Sequence, residues 1–464
     1  MDLQNAEPKR TQFKKGERLE VIIESVSFGS DSIGRFENMV VFVAEAVPGD
    51  VVEVEIIKVK KTFLIGKLIK VIKPALLRNK PRCPHFGFFE KKIDNYERGC
   101  GGCSWQHIDY AEQLKIKQKL VSDSLERLGG IKADTAPIIG MDNPWFYRNK
   151  LEYTFGEFEG RCELGFHKRQ SFWQIIPIQQ CFLESLESNK IIDSIRKFAQ
   201  ESNLPVYNPR THLGLWRHVL VREGKNTGEK LVHISVGEIP KINFEDFAHR
   251  LMGDFASIKS FSVGINNSPS DALKITIPYF LNGVDHIFET ILKKRFKIGL
   301  STFFQTNTEM LQKISEYVIN TIEPESALLD LYCGVGTFSI LAADRINTGY
   351  GIEISEQSIV HARENAKLNG MNNLSFISRD VEKAELPEHD ILLVDPPRSG
   401  LSPKALQKIL ELQNKKMIYV SCNPTTLARD LKELVKKYDI VEIQPFDNFP
   451  QTYHVETMVV LKKS

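Results

Sequence analysis

Apolar and polar residues alternate along residues 19–23, 40–43, 51–57 and 63–71, and Pro48-Gly49-Asp50 breaks the pattern between the second and third runs. Alternation puts successive side chains on opposite faces of a strand. Short runs punctuated by glycine and proline, with no helical period, predict a small barrel of OB type. A different period begins at Tyr110, where Leu114, Leu120, Leu125 and Leu128 recur at helical spacing as far as Gly129-Gly130, a helix stop. Residues 131–291 read as strands and short helices. From about Lys297 strands and helices alternate, with strands at 327–332, 350–352, 374–377, 391–394, 417–421, 440–444 and 455–461. That order predicts a mostly parallel, doubly wound sheet. The chain therefore reads as multidomain α/β: an OB-like β-barrel over 1–78, a central α+β domain over 79–292 and a Rossmann-like domain over 293–464.

Composition leaves room for about three cores: 464 residues, 42% of them apolar. With 61 basic and 59 acidic residues the net charge is +2, so electrostatic arguments must be local. One local excess stands out. Nine Lys or Arg and no acid lie between Ile56 and Arg82 (Lys58, Lys60, Lys61, Lys67, Lys70, Lys73, Arg78, Lys80, Arg82), a density suited to tracking phosphates on a barrel face. Phe146-Tyr147-Arg148-Asn149-Lys150 and the segment 215–222 interleave aromatic and basic residues, a composition that suits base stacking or a half-buried strand. The first eight residues are polar and no apolar run reaches membrane-spanning length, which predicts a cytoplasmic protein with no membrane partner.

In a reducing compartment the seven cysteines point to metal binding or catalysis rather than disulfides. Cys100-Gly101-Gly102-Cys103 supplies two ligands to one metal ion or cluster, and its glycines let backbone N–H groups approach sulfur. Cys83 is a candidate third ligand and Cys181 or Cys162 a fourth; spacing leaves zinc and iron–sulfur both open.

In a doubly wound sheet ligands bind beyond the carboxyl ends of the strands. Gly334 and Gly336 follow the first strand there, Glu353 the second, Asp380 the third, Asp395 the fourth and Cys422 the fifth. A Gly-x-Gly turn with an acid on the next strand end fits an adenosine cofactor. The third glycine of a dinucleotide fingerprint is Ser339 here and the P-loop lysine is missing, so S-adenosylmethionine fits better. Cys422 lies between a β-branched strand and Asn423-Pro424, a helix start, where a helix dipole would favour the thiolate. A thiolate added to C6 of uracil makes C5 nucleophilic toward a methyl group, and a base must then take the C5 proton. Glu456 is the candidate base, if burial raises its pKa.

The chain resembles the RNA 5-methyluridine methyltransferases over nearly its whole length. The matching segments are the TRAM-like barrel, Cys83-Pro84-His85-Phe86-Gly87 with Cys100-Gly101-Gly102-Cys103, Phe303-Phe304-Gln305-Thr306-Asn307, Asp330-Leu331-Tyr332-Cys333-Gly334-Val335-Gly336, Asp395-Pro396-Pro397-Arg398, Ser421-Cys422-Asn423-Pro424 and His454-Val455-Glu456-Thr457. The resemblance implies Cys422 as nucleophile and Glu456 as proton acceptor. It implies Gln305, Tyr332, Glu353, Asp380 and Asp395 as cofactor-site positions, beside Gly334 and Gly336. It also implies a 4Fe-4S cluster on Cys83, Cys100, Cys103 and Cys181, with Cys162 in reserve and Cys333 without chemistry. Sixteen residues separate Cys83 from Cys100, longer than the family's usual spacing, so residues 88–98 are expected to loop out. The implied partner is RNA, 23S ribosomal RNA first with transfer RNA as the alternative, acted on by a monomer without an obligate protein partner. Cytosine methylation is disfavoured because no second cysteine stands near Asp395-Pro396-Pro397, and a non-catalytic RNA-binding iron–sulfur protein is the remaining rival.

Overall fold

The computed structural model describes residues 13–29, 31–87, 99–169, 171, 173–239 and 242–464. The expectations for the N-terminal eight residues and for a looped-out 88–98 lie outside these. The chain divides into two compact units. One comprises Met1–Arg82, Cys103–Leu120 and Gln451–Tyr453, the other Cys83–Gly102, Val121–Pro450 and His454–Ser464.

In the first unit, strands β1 (Arg18–Val26), β2 (Ser32–Phe36), β3 (Met39–Val43), β4 (Val51–Val59) and β5 (Phe63–Lys73) close a barrel in the order β1-β2-β3-β5-β4. The alternating residues Val21, Ile23, Val41, Val43, Val52, Val54, Ile56 and Leu64 fill its interior. The sequence pattern does not reveal β2, whose five residues include Gly34. A Cβ there would come within 2.3 Å of Val21 Cγ1 and 2.6 Å of the Ile22 carbonyl, so the strands meet only because the side chain is absent. Arg78, one of the nine basic residues, does not face outward as a phosphate contact: its Nη2 donates to the buried Asp50 carboxylate at 2.6 Å. Helix α1 (Tyr110–Ser124) begins in this unit and ends, as its leucine period predicts, at Gly129-Gly130. Its last turn is a π-turn, Leu125–Gly129, closed by Gly130 at φ +69°.

The second unit holds two seven-stranded sheets. The first contains β6 (Lys150–Phe158), β7 (Arg161–His167), β8 (Ile175–Pro177), β9 (Trp216–Glu223), β10 (Lys230–Val236), β11 (Ile258–Ile265) and β12 (Phe280–Gly283), ordered β12-β11-β10-β9-β6-β7-β8. Helices α2 (Leu186–Glu201) and α3 (Phe244–Asp254) pack through Phe198 and Phe247, stacked at 3.9 Å, onto Trp216 and Phe261. A hairpin, β13 (His286–Ile291) and β14 (Lys294–Gly299), leads to α4 (Thr308–Thr321). The second sheet alternates β15 (Ala327–Leu331), α5 (Thr337–Ala342), β16 (Thr348–Glu353), α6 (Glu356–Leu368), β17 (Leu374–Ser378), β18 (Ile391–Val394), α7 (Pro403–Glu411), β19 (Lys416–Ser421), α8 (Pro424–Leu434), β20 (Tyr438–Phe446) and β21 (Glu456–Lys463). Its order is β17-β16-β15-β18-β19-β21-β20. The first five strands are parallel, and β21 runs antiparallel between β19 and β20. Strands β15, β18 and β19 are buried on both faces, as continuous apolar runs require. Among the described residues no helix is long and apolar enough to cross a membrane.

Candidate active site

Strand β19 delivers Cys422 to the carboxyl edge of the sheet, and the turn after it is built by Asn423. Asn423 Oδ1 accepts from the Thr425 N–H at 3.0 Å as the N-cap of α8, with Pro424 in the first turn. Asn423 Nδ2 donates to the Arg398 carbonyl at 3.1 Å, and Thr426 Oγ1 donates to the same oxygen at 3.3 Å. The turn carrying the cysteine is thus tied to the loop Asp395-Pro396-Pro397-Arg398. The expected thiolate is not the resting form. Burial first, then the charges of Glu456 and Asp395, push the Cys422 thiol up to about 12 against a weaker opposing pull from Arg398. Two carboxyl groups and low dielectric outweigh the end of an eleven-residue helix.

Glu456 opens β21, where the register pairs Ser421 with Thr457. It is 3% exposed, not a surface residue of an alternating strand. Burial raises its pKa to about 7, while a hydrogen bond from Asn448 Nδ2 at 3.3 Å opposes the rise. Asp395, at the end of β18, is pushed well above the usual carboxylate range by burial, then by the charges of Glu456 and Asp330. Two like charges share the site only if one is neutralised. Behind them Asp330 is buried and raised to about 7; Ser339 Oγ donates to its Oδ2 at 2.6 Å.

The turn after β15 is a cradle of left-handed backbone: Tyr332 at φ +64°, Gly334 at +54° and Gly336 at +76°. A Cβ on Gly336 would meet Phe376 Cζ at 2.7 Å, so the glycine is required by space as well as by conformation. Glu353 braces this turn, its Oε2 accepting from the Gly334 N–H at 3.3 Å and its Oε1 from the Ser355 N–H at 2.9 Å. A carboxylate has further lone pairs, so the brace leaves acceptor capacity for ribose hydroxyls. Asp380 Oδ1 accepts from the Glu382 N–H at 3.0 Å. Gln305 is linked to Glu456 through Asn448: Asn448 Nδ2 lies 3.4 Å from its Oε1 and 3.3 Å from Glu456 Oε2, and Asn149 Nδ2 donates to the Gln305 carbonyl at 2.8 Å. Sequence patterns did not single out Asn448 or the bridging role of Asn423; both stand outside any strand period.

Three cysteine-bearing loops meet around His85. The Cys100 N–H donates to the His85 carbonyl at 2.7 Å, the Phe86 N–H to the Cys83 carbonyl at 3.2 Å, and the Gln179 N–H, two residues before Cys181, to His85 Nε2 at 3.3 Å. The Gly102 N–H reaches Cys100 Sγ at 3.3 Å, as the glycine pair predicts. Cys103 falls in the other compact unit. Among the described residues no group of three or more Cys, His, Asp or Glu side chains is arranged to hold a metal ion. Burial, then Glu163, raises the Cys162 thiol to about 12; Cys333 is likewise raised, by burial first and then Asp330 and Glu353. The segment 215–222 is not a surface for bases: Trp216, Arg217 and Arg222 are buried, Arg217 spent on the Asn266, Ser268 and Ser270 carbonyls and Arg222 on that of Thr302.

A family model described as tRNA (Uracil-5-)-methyltransferase matches residues 289–389 and 379–464, and a TRAM domain model matches residues 12–69. An uncharacterized RNA methyltransferase of Caldanaerobacter subterraneus subsp. tengcongensis is 37% identical over 461 residues, covering 97% of this chain and 100% of its own. Another, from Halalkalibacterium halodurans, is 33% identical over 458 residues and 97% of each chain. The crystal structure of Pyrococcus abyssi tRNA (uracil-54, C5)-methyltransferase in complex with S-adenosyl-L-homocysteine superposes with a TM-score of 0.78 at 27% identity, over 96% of this chain and 100% of that one.

Proposed function

The chain belongs to the RNA (uracil-5-)-methyltransferase family, as an S-adenosylmethionine-dependent enzyme with a TRAM domain, and we propose that it methylates C5 of a uridine in large-subunit ribosomal RNA. The observation that carries the chemistry is the antiparallel register of β19 and β21, which pairs Ser421 with Thr457 and so sets Cys422 beside the buried Glu456. As Cys422 sulfur bonds to C6 of the flipped uracil, the thiol proton leaves to water and electron density shifts to C5. S-adenosylmethionine, when bound, supplies the electrophilic methyl group that C5 takes. Glu456, poised near pH 7, then accepts the C5 proton, and the electrons of that C–H bond expel the thiolate from C6. Asp395, whose carboxyl is pushed above the usual range by burial and then by the charge of Glu456, is the group we assign to face the uracil. Gln305, Tyr332, Gly334, Gly336, Glu353, Asp380 and Asp395 are the positions we assign to the cofactor side. The left-handed cradle and its Glu353 brace support that assignment.

We assign residues 1–78 and 79–292 to RNA binding and 293–464 to catalysis. The convergence of the Cys83, Cys100 and Cys181 loops supports a 4Fe-4S cluster on those residues with Cys103, and no catalytic step is routed through it. The family resemblance leans toward ribosomal RNA, while overall length does not separate the two, since the transfer RNA enzyme aligns over 100% of its chain and 96% of this one. The likeness to a transfer RNA enzyme favours a second reading, a uridine in transfer RNA. Labelled methyl transfer to unmodified ribosomal and transfer RNA, followed by nucleoside analysis, decides between them. 5-Methyluridine in ribosomal RNA supports the main reading, the same product in transfer RNA overturns the substrate alone, and no labelled pyrimidine overturns the reaction.

A further inference from the structure

The turn joining β7 to β8 and the loop before β9 meet through an exposed aromatic–cation pair. Trp173 is 59% exposed, and the Arg210 guanidinium lies 5.8 Å from the centre of its ring. Both supporting segments are braced by their own backbones. In the first, the Lys168 N–H donates to the Gln174 carbonyl at 2.8 Å, the Arg169 N–H to that of Gly99 at 3.0 Å, and Ser171 Oγ accepts from the Gln174 N–H at 3.2 Å. In the second, Asn208 Oδ1 accepts from the Arg210 N–H at 2.8 Å, and the Asn208 and Leu213 backbones pair at 2.8 Å. Tyr207, at the base of that loop, is clamped under the Arg217 guanidinium at 3.8 Å. The backbones on either side of the pair are thus hydrogen-bonded, and the indole and the guanidinium face each other across the gap.

Residues 168–174 and 207–214 contain Lys168, Arg169 and Arg210 and no Asp or Glu. An exposed indole beside an arginine plane, on loops whose own residues carry cations and no acid, matches a planar base attached to an anionic backbone. We propose that Trp173 and Arg210 form a platform on which an unpaired base of the substrate RNA stacks, the Arg210 guanidinium also meeting the adjoining phosphate. This inference rests on the RNA-methyltransferase reading and adds to it a binding subsite in the same compact unit as Cys422. An anchor of this kind constrains where a single strand lies, which a flipped uridine requires of its flanking nucleotides.

The test compares wild type with Trp173→Ala, Trp173→Phe and Arg210→Ala on the full chain. Its readouts are equilibrium binding to a single-stranded oligouridylate and to the transcript that wild type methylates, at two salt concentrations, together with kcat and KM. Both side chains are exposed, so melting temperatures should stay at the wild-type value. Trp173→Ala should weaken RNA binding about tenfold, with the loss appearing in KM rather than kcat, and Trp173→Phe should recover most of it. Arg210→Ala should lower the salt slope by about one. Unchanged RNA affinity in Trp173→Ala overturns the platform, including the case in which the variant instead loses an acidic protein partner. Failure of wild type to methylate any RNA would overturn the reaction; the binding comparison on oligouridylate would still decide the platform.

Discussion

Asn448 Nδ2 lies 3.3 Å from Glu456 Oε2 and 3.4 Å from Gln305 Oε1, so one amide links the buried Glu456 to a residue on a different segment of the site. The amide is itself fixed through its backbone, because Asn307 Nδ2 donates to the Asn448 carbonyl at 3.1 Å. Its hydrogen bond favours the charged form of Glu456, against the effect of burial. In Asn448→Ala the Glu456 pKa should therefore rise above about 7. Activity that needs the carboxylate would then reach its plateau at higher pH. The pH dependence of single-turnover product release measures this, and an unshifted acidic limb would count against Glu456 as the base.

Cys422 should alkylate slowly at neutral pH because its thiol is held near 12 by burial and by two neighbouring carboxyl groups. Glu456→Gln removes one of those charges. At pH 8 iodoacetamide should label Cys422 several-fold faster in the variant than in wild type, while Cys422→Ala shows no labelling at that peptide.

The same substitution should stop the reaction at the covalent stage. With no carboxylate to take the C5 proton, Glu456→Gln is expected to retain RNA through a Cys422–C6 bond that survives denaturing electrophoresis, and Cys422→Ala to form none. Normal turnover by either variant would refute the mechanism.

Glu456 also carries a stability signature. Its folded pKa of about 7 lies above the ordinary 4.5, so the folded state binds the proton more tightly. That contribution is complete below about pH 4.5 and is lost as the pH rises through about 7, a swing on the order of 3 kcal/mol. Glu456→Gln cannot ionise. It should melt at a higher temperature than wild type at pH 8, and the gap should close toward pH 5.

Gly336→Ala meets two obstacles, a φ of +76° and a Phe376 ring atom 2.7 Å from the new Cβ. Strain of this kind costs on the order of 1–3 kcal/mol. Loss of S-adenosylhomocysteine binding by calorimetry, with a lowered melting temperature, is the expected result. For the cysteine loops, replacing Cys100 or Cys181 by serine should remove iron and acid-labile sulfide from anaerobically purified protein, and bound zinc without iron would refute the cluster.

The carboxyl-edge residues were legible because a doubly wound strand–helix alternation dictates where strand ends lie; Glu353, Asp395 and Cys422 fall there from pattern alone. Burial of Glu456 was not legible, since alternating apolar residues around it suit a strand with one wet face, whereas the folded β21 is buried on both faces from Glu456 to Leu461. The thiol's protonation was misjudged for a related reason. A helix start is written in Asn423-Pro424, whereas Asp395 and Glu456 reach Cys422 only through tertiary packing. The strand β2 escaped notice because its glycine serves a close approach rather than an apolar period.

The placement of β21 makes the site depend on the end of the chain. Strand β20 precedes β21 in sequence yet lies outside it, so β20 reaches the sheet only through the last strand. Removing residues from 456 onward would therefore cost the sheet both strands beyond β19, and Cys422 would stand on an edge strand with the side that now carries Glu456 open.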